Sequence, residues 1–168
     1  MRSSASTASA AKNAAASSSL RGYRLLGVVA ALVVAADQVT KTVALETLSD
    51  GPVDVLWGAV TLRITINSGG AFGVFQGVPG FFLVATVGII AGILLWARHV
   101  DHRGWLLALG LVLGGGVGNV VDRVLRDHGG VVDFVDLHWW PVFNVADSCI
   151  VTGVGLLLLL GARDDKGG

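Results

Sequence analysis

Four stretches of this chain stay apolar for about 20 residues, the length that crosses a bilayer. They lie at roughly 24–45, 80–97, 104–121 and 144–162. Between the first two, Val60, Leu62, Ile64 and Ile66 alternate with Thr61, Arg63 and Thr65. That period of two predicts a half-buried strand, and Asn67-Ser68-Gly69-Gly70 reads as the turn after it. The expected fold class is an all-α membrane protein: four transmembrane helices with a small extracytoplasmic β-sheet, or cradle. Residues 124–143 read as a short loop joining the last two spans.

Composition agrees with that pattern. The chain has 168 residues, 53% of them hydrophobic and only 14% charged, against about 25% charged in a soluble domain. Its few charges could not cover a water-facing surface. Net charge is zero, so nothing points to nucleic acid. The single cysteine, Cys149, has no partner for a disulfide or a thiolate metal site and reads as a small core residue. Residues 1–20 are a Ser/Ala stretch without the apolar core of a cleavable signal, and are expected to form a disordered cytoplasmic tail. Residues 21–163 then make one membrane domain, and 164–168 a second cytoplasmic tail.

Lys and Arg give the direction. With the N-terminus inside, the inner segments hold Arg2, Lys12, Arg21, Arg24, Arg98, Arg103, Arg163 and Lys166, while the outer ones hold Arg63, Arg123 and Arg126. Eight against three satisfies the positive-inside rule with both termini cytoplasmic. Trp96 and Trp105 then fall at the inner interface, and Trp57, Trp139 and Trp140 outside, as in an aromatic belt. Gly110, Gly114 and Gly118 recur every four residues, which lets helices approach closely in lipid. Gly115 and Gly116 beside them predict a weak point in the third span.

Polar residues at membrane depth are costly and usually serve a cavity or a function. Here they collect at one level. Asp37, Gln38 and Lys41 lie in the outer half of span one, Asn119, Asp122 and Arg123 close span three, and Asn144 and Asp147 open span four. The i, i+3 and i+4 spacings put each group on one helix face. Asp37 with Lys41, and Asp122 with Arg123, are candidates for ion pairs that hold the bundle. Asp136 reads as a solvated loop residue. Asp147, inside an apolar span, has no such simple account. Asp133 sits among Gly129-Gly130-Val131-Val132 and Phe134, where a carboxylic acid is easily kept protonated. Two carboxyls brought together at such a boundary would share a proton, the aspartic-protease arrangement.

These residues resemble those of a known family, the lipoprotein signal peptidases (signal peptidase II). Five segments carry the resemblance in family order. They are Asp37-Gln38-Val39-Thr40-Lys41, Asn67-Ser68-Gly69-Gly70-Ala71-Phe72-Gly73, Gly114 through Asp122-Arg123, Val131-Val132-Asp133-Phe134, and Phe143-Asn144-Val145-Ala146-Asp147-Ser148. Ser68 and Gly70 stand where Thr and Ala are commoner. The resemblance implies a catalytic dyad of Asp133 and Asp147. Asn67, Asn119, Arg123 and Asn144 match polar positions that line or support the family's site, with Asp37, Lys41, Gly69 and Asp122 supporting it within the same segments. It also implies an aspartic endopeptidase of the bacterial plasma membrane, active near the outer face. Its substrates would be prolipoproteins bearing a diacylglyceryl group on cysteine, cut just before that cysteine, with membrane lipid as the other partner.

No metal and no cofactor are expected. There is no H-E-x-x-H or G-x-S-x-G motif, and His128, Asp133, Asp136 and His138 are too irregularly spaced for a metal site. His99 and His102 read as polar surface. Two other classes remain open on the residues alone. A cation- or proton-coupled transporter would place its carboxylates near the midplane of repeated halves, and no internal repeat is evident. A purely structural membrane partner leaves Asp147 unexplained.

Overall fold

The computed structural model describes residues 3–69, 79–126 and 129–164, with side chains from residue 21 onward. Its elements are α1 (Ser3–Thr47), β1 (Val53–Val55), β2 (Val60–Asn67), α2 (Pro79–Ala97), α3 (Arg103–Leu125), β3 (Val131–Asp136) and α4 (Val145–Asp164). Four helical segments are long and apolar enough to cross a membrane: Arg21–Thr47, Gly80–Ala97, Arg103–Leu125 and Val145–Asp164. They match the four expected spans. Helix α1 continues back to Ser3, through the Ser/Ala stretch expected to be a disordered tail. Alanine has the highest helix propensity of any residue, which favours that continuation.

Helix α3 is the central one. It packs against α1, α4 and α2, and glycine sets how closely. A Cβ on Gly114 would lie 2.8 Å from the Ala30 carbonyl of α1, and one on Gly118 would lie 2.7 Å from Asp37 Oδ2. On another face, a Cβ on Gly115 would meet the Ala146 carbonyl of α4 at 2.5 Å. The small-residue stripe is therefore a contact seam. The expected weak point at Gly115–Gly116 is not there, because α3 runs unbroken and both glycines are buried.

The two ends of the bundle differ in chemistry. At one end Leu26 and Ala30 of α1, Ile93 and Ala97 of α2, and Leu106, Leu109, Val112 and Leu113 of α3 form the apolar core. Trp96 packs edge-on to Trp105 at this end, and His102 caps α3 by accepting the Gly104 N–H, more than a merely polar surface role. At the other end the polar residues of α1, α3 and α4 meet beneath a three-stranded antiparallel sheet of order β1-β2-β3.

The sheet corrects the expected loop at 124–143. Its first residues complete α3, and Val131–Asp136 form β3, with Thr65 opposite Asp133 and Asn67 opposite Val131. Strand β2 matches the alternation that predicted it, yet its apolar side is not a buried face. Thr61 is buried, while Ile66 is 40% exposed. An isolated bridge of Val135 with Phe143 turns the chain back, so that Asn144 arrives beside β3 at the start of α4. Gly70 through Gly73 of the second quoted segment, and His128, lie outside the described residues.

Candidate active site

The first turn of α4 positions Asp147. An α-helix opens with backbone N–H groups that have no partner within the helix. Here Asn144 Oδ1 accepts the Asp147 N–H at 2.9 Å, and Asp147 Oδ2 in turn accepts the Asn144 N–H at 3.4 Å. This is a reciprocal capping box with an aspartate in its third position. Asp37 of α1 adds a third acceptor, taking the Ala146 N–H at 3.0 Å. The remaining Asp147 oxygen, Oδ1, accepts from Asn119 Nδ2 of α3 at 2.8 Å.

Asp133 is fixed from the sheet side. Its backbone belongs to β3, and it is 1% exposed. Asn144 Nδ2 donates to its Oδ1 at 2.6 Å, and Asn67 Nδ2, at the end of β2, donates to its Oδ2 at 3.0 Å. The Asn67 oxygen meanwhile accepts the Gly69 N–H at 3.0 Å, which holds the chain past the strand. Burial, and secondarily the charge of Asp147, push the Asp133 carboxyl up to about 7; the Asn67 and Asn144 amides oppose the rise.

Both carboxylates line one cavity of about 510 Å³, walled by β2, α2, α3, the 140–143 segment and α4. Asn67, Gly69, Asn119 and Arg123 line it as well. Arg123 is held by two carbonyls, donating to Asn119 O at 3.3 Å and Gly69 O at 3.2 Å. Asp147 also borders a smaller recess of about 330 Å³ formed by Leu137, Trp139, Trp140, Phe143, Ser148, Val151 and Thr152, where it is the one charged residue among those described.

Three of the expected site residues lie behind the cavity wall. Lys41 Nζ contacts Asp37 Oδ2 at 2.8 Å, Asp122 Oδ2 at 2.9 Å and Asn119 Oδ1 at 3.0 Å, and Lys41, Asp37 and Asp122 are all 0% exposed. The Asp37–Lys41 pair is as expected. Asp122 is not paired with Arg123: its second cation is Arg126, at 3.1 Å. Consecutive helix residues diverge, whereas i and i+4 share a face. Asp122 also accepts from Gln38 Nε2 at 2.9 Å and from the Val132 N–H at 3.0 Å, tying β3 to α3. Gln38 and Arg126 were missed as supporting residues, although i+4 spacing from Asp122 points to Arg126. Asp136 is a further correction. It is 9% exposed and bound to Arg63 Nε at 2.6 Å and to the His138 N–H at 2.7 Å. Arg63 and that N–H hold its carboxyl below the usual range.

Fold and site together define a multi-pass membrane protein with a pair of carboxylates in a polar cavity at one end of its helix bundle. A family model described as signal peptidase (SPase) II matches residues 29–162. A lipoprotein signal peptidase of Rhodococcus jostii is 44% identical over 141 residues, which are 81% of this chain and 71% of that protein. One of Mycolicibacterium smegmatis is 43% identical over 145 residues, 83% of this chain and 62% of that protein. A solved bacterial membrane enzyme, determined by the in meso method at 2.3 Å resolution, superimposes with a TM-score of 0.77 at 30% identity, covering 84% of this chain and 90% of the other. The chain belongs to the signal peptidase II family. It is a protease, and a multi-pass protein of a bacterial inner membrane.

Proposed function

We propose that the chain cleaves the signal peptide from prolipoproteins carrying a diacylglyceryl group on cysteine, cutting before that cysteine, with Asp133 and Asp147 as the catalytic pair. One observation carries this reading. The two carboxylates border a single cavity and, among the described residues, are bound by neutral donors, so each keeps a charge or a proton available to a substrate. Asp133, pushed up to about 7, is partly protonated at neutral pH and is assigned the role of acid. Asp147, facing the Asn119 amide and the N-terminal dipole of α4, serves as base. The two titrate as a pair.

In the reaction, Asp147 takes a proton from a water between the carboxyls as the water oxygen attacks the scissile carbonyl. Asp133 donates its proton to the carbonyl oxygen, giving a neutral gem-diol. As the C–N bond breaks, one gem-diol hydroxyl returns its proton to Asp133. The proton held by Asp147 passes to the leaving amine, and the pair is restored. No cofactor enters this scheme.

The cluster end of the bundle is assigned to the outer face and both termini to the cytoplasm, on the Lys/Arg asymmetry. Residues 21–163 are assigned as the peptidase domain, with membrane lipid around it. The apolar recess next to Asp147 supports a substrate with a bulky apolar group beside the cleaved bond. A lipid chain contributes about 0.8 kcal/mol per buried CH₂. The lipidated precursor should therefore be cut at least ~100-fold faster than the unlipidated one, equivalent to about 2.7 kcal/mol. Release of signal peptide from both, in one detergent at matched concentrations, tests this. Equal rates would remove the lipid requirement.

A further inference from the structure

Asparagine can present either end of its amide to a neighbour, and two asparagines stand between the carboxylates. Asn119 Nδ2 faces Asp147, and Asn144 Nδ2 faces Asp133 while its Oδ1 faces the Asp147 N–H. Reversing Asn119 would set an acceptor against the Asp147 carboxylate, an arrangement that only a protonated Asp147 could satisfy. Something must therefore decide which way this amide points. The lysine ammonium has three donors and no acceptor. Lys41 Nζ spends them on Asp37, Asp122 and the Asn119 oxygen at 3.0 Å. With Lys41 bound to its oxygen, Asn119 can only offer its NH₂ to Asp147. The same oxygen also accepts Asn144 Nδ2 at 3.2 Å, which draws the second amide into the orientation that serves Asp133.

We propose that Lys41 is a positioning residue of the reaction: through Asn119 it sets the direction of the hydrogen bonds reaching both aspartates, and so keeps Asp147 in the ionised form the base must have. Lys41 makes its close contacts with Asp37, Asp122 and Asn119 and reaches both carboxylates of the pair through the amides, while its charge also acts on Asp133 from a distance. The proposal rests on the assignment of Asp133 and Asp147 as the catalytic pair. The charged groups around this switch are Asp37 on α1, Asp122 and Arg123 on α3, Arg126 at the C-cap of α3, Asp133 on β3 and Asp147 on α4. Asp37 and Asp122 are neutralised by Lys41 itself and, for Asp122, by Arg126.

Removing Lys41 alone would strand two buried carboxylates, so the test uses two variants that avoid this. Lys41→Met with Asp37→Asn removes one charge of each sign, leaves Asp122 with Arg126 as its counter-ion, and the amide oxygen at 37 can still accept the Ala146 N–H. Lys41→Arg keeps the charge and a donor toward Asn119. Each is purified in detergent, checked for cooperative thermal unfolding, and assayed with lipidated precursor across pH. The double variant should fold, keep KM within a factor of about three, and lose about 100-fold in kcat, as expected for misplaced catalytic groups. The acid limb of its pH profile should move to higher pH, and Lys41→Arg should recover part of kcat with the parent's limb. A folded double variant with the parent's kcat and pH profile would overturn the proposal. So would loss of folding in both variants, since Lys41 would then be a structural residue. Failure of the dyad itself reads differently: Asp147→Asn would stay active, whatever Lys41 does.

Discussion

Two groups of aspartates share one end of this bundle, and their surroundings set them apart. Asp37 and Asp122 each face the Lys41 ammonium, Asp122 also faces Arg126, and both are sealed from solvent. Asp133 and Asp147 face amide and backbone donors and an open cavity. Arg123 lies on that cavity but is taken up by two carbonyls. A carboxylate next to a buried cation is committed to its charge, since losing either partner leaves an isolated ion in a low dielectric. A carboxylate held by neutral donors can still exchange a proton. The distinction between scaffold and chemistry thus lies in the partners of each aspartate, and depth in the membrane does not decide it.

The comparison breaks most sharply by removing one charge from each group. Asp147→Asn or Asp133→Asn should cut the cleavage rate at least ~1,000-fold, as for members of a catalytic unit, while leaving thermal unfolding near the parent's. Asp122→Asn should instead cost about 3–5 kcal/mol of stability, because Lys41 and Arg126 lose a shared counter-ion. Cleavage assays beside unfolding in the same detergent separate the two outcomes. An Asp147→Asn protein that stayed active, or an Asp122→Asn protein as stable as its parent, would erase the contrast.

A smaller effect comes from the seam that brings the scaffold aspartate in. A methyl at 118 would lie 2.7 Å from Asp37 Oδ2 and 3.3 Å from its Cγ. Gly118→Ala should therefore cost about 1–3 kcal/mol and loosen the Asp37 cap on α4. Gly92→Ala is the control, since nothing lies within 4 Å of that position, and alanine favours helix over glycine. Equal melting temperatures for the two would mean that α1 and α3 are not locked by glycine.

The pH profile sharpens the catalytic side. Folded Asp133 keeps its proton up to about pH 7, whereas an ordinary aspartate releases it near 3.8. Stability from this group is full at acid pH, declines as pH rises from about 4 to 7, and then levels. Cleavage needs that proton, so the alkaline limb of kcat/KM should fall near pH 7. The Asn67 amide favours the charged form, so Asn67→Ala should move the limb to higher pH. A limb that stayed in place or moved down would contradict the role of Asn67.

Much of this is legible in the sequence. The four spans follow from the length of their apolar stretches, and strand β2 and the helical spacing of Asn119 with Asp122 and of Asn144 with Asp147 follow from periodicity. The Asp37–Lys41 pair follows from i, i+4 geometry. Asp133 is different, because nothing local separates it from Asp136; the resemblance assigned its role. Strand β3 was illegible because Val131-Val132-Asp133-Phe134-Val135-Asp136 lacks the alternation that marked β2. Its burial comes from α3 below and β2 beside it. The Asp136–Arg63 pair was hidden for the same reason: it joins two strands 73 residues apart in sequence.

The mildest prediction concerns that pair. Asp136 is the same residue type as Asp133 and lies on the same strand, but it answers to different partners. Arg63 and the His138 N–H hold it ionised and below the usual carboxylate range. The Arg63 side chain is 43% exposed, so solvent screens the pair and its contribution should be small. A depressed carboxyl stabilises the fold above its ordinary value of 3.8, and that stabilisation is lost as pH falls. Asp136→Asn should thus cleave near the parent's rate with the alkaline limb unmoved. Any loss of stability should show at neutral pH and vanish toward acid pH, where parent and variant converge. Melting curves at both pH values and one rate profile check this. If Asp136→Asn displaced the limb as far as Asn67→Ala does, the proton that matters would not belong to Asp133, and partner chemistry would no longer distinguish these two aspartates.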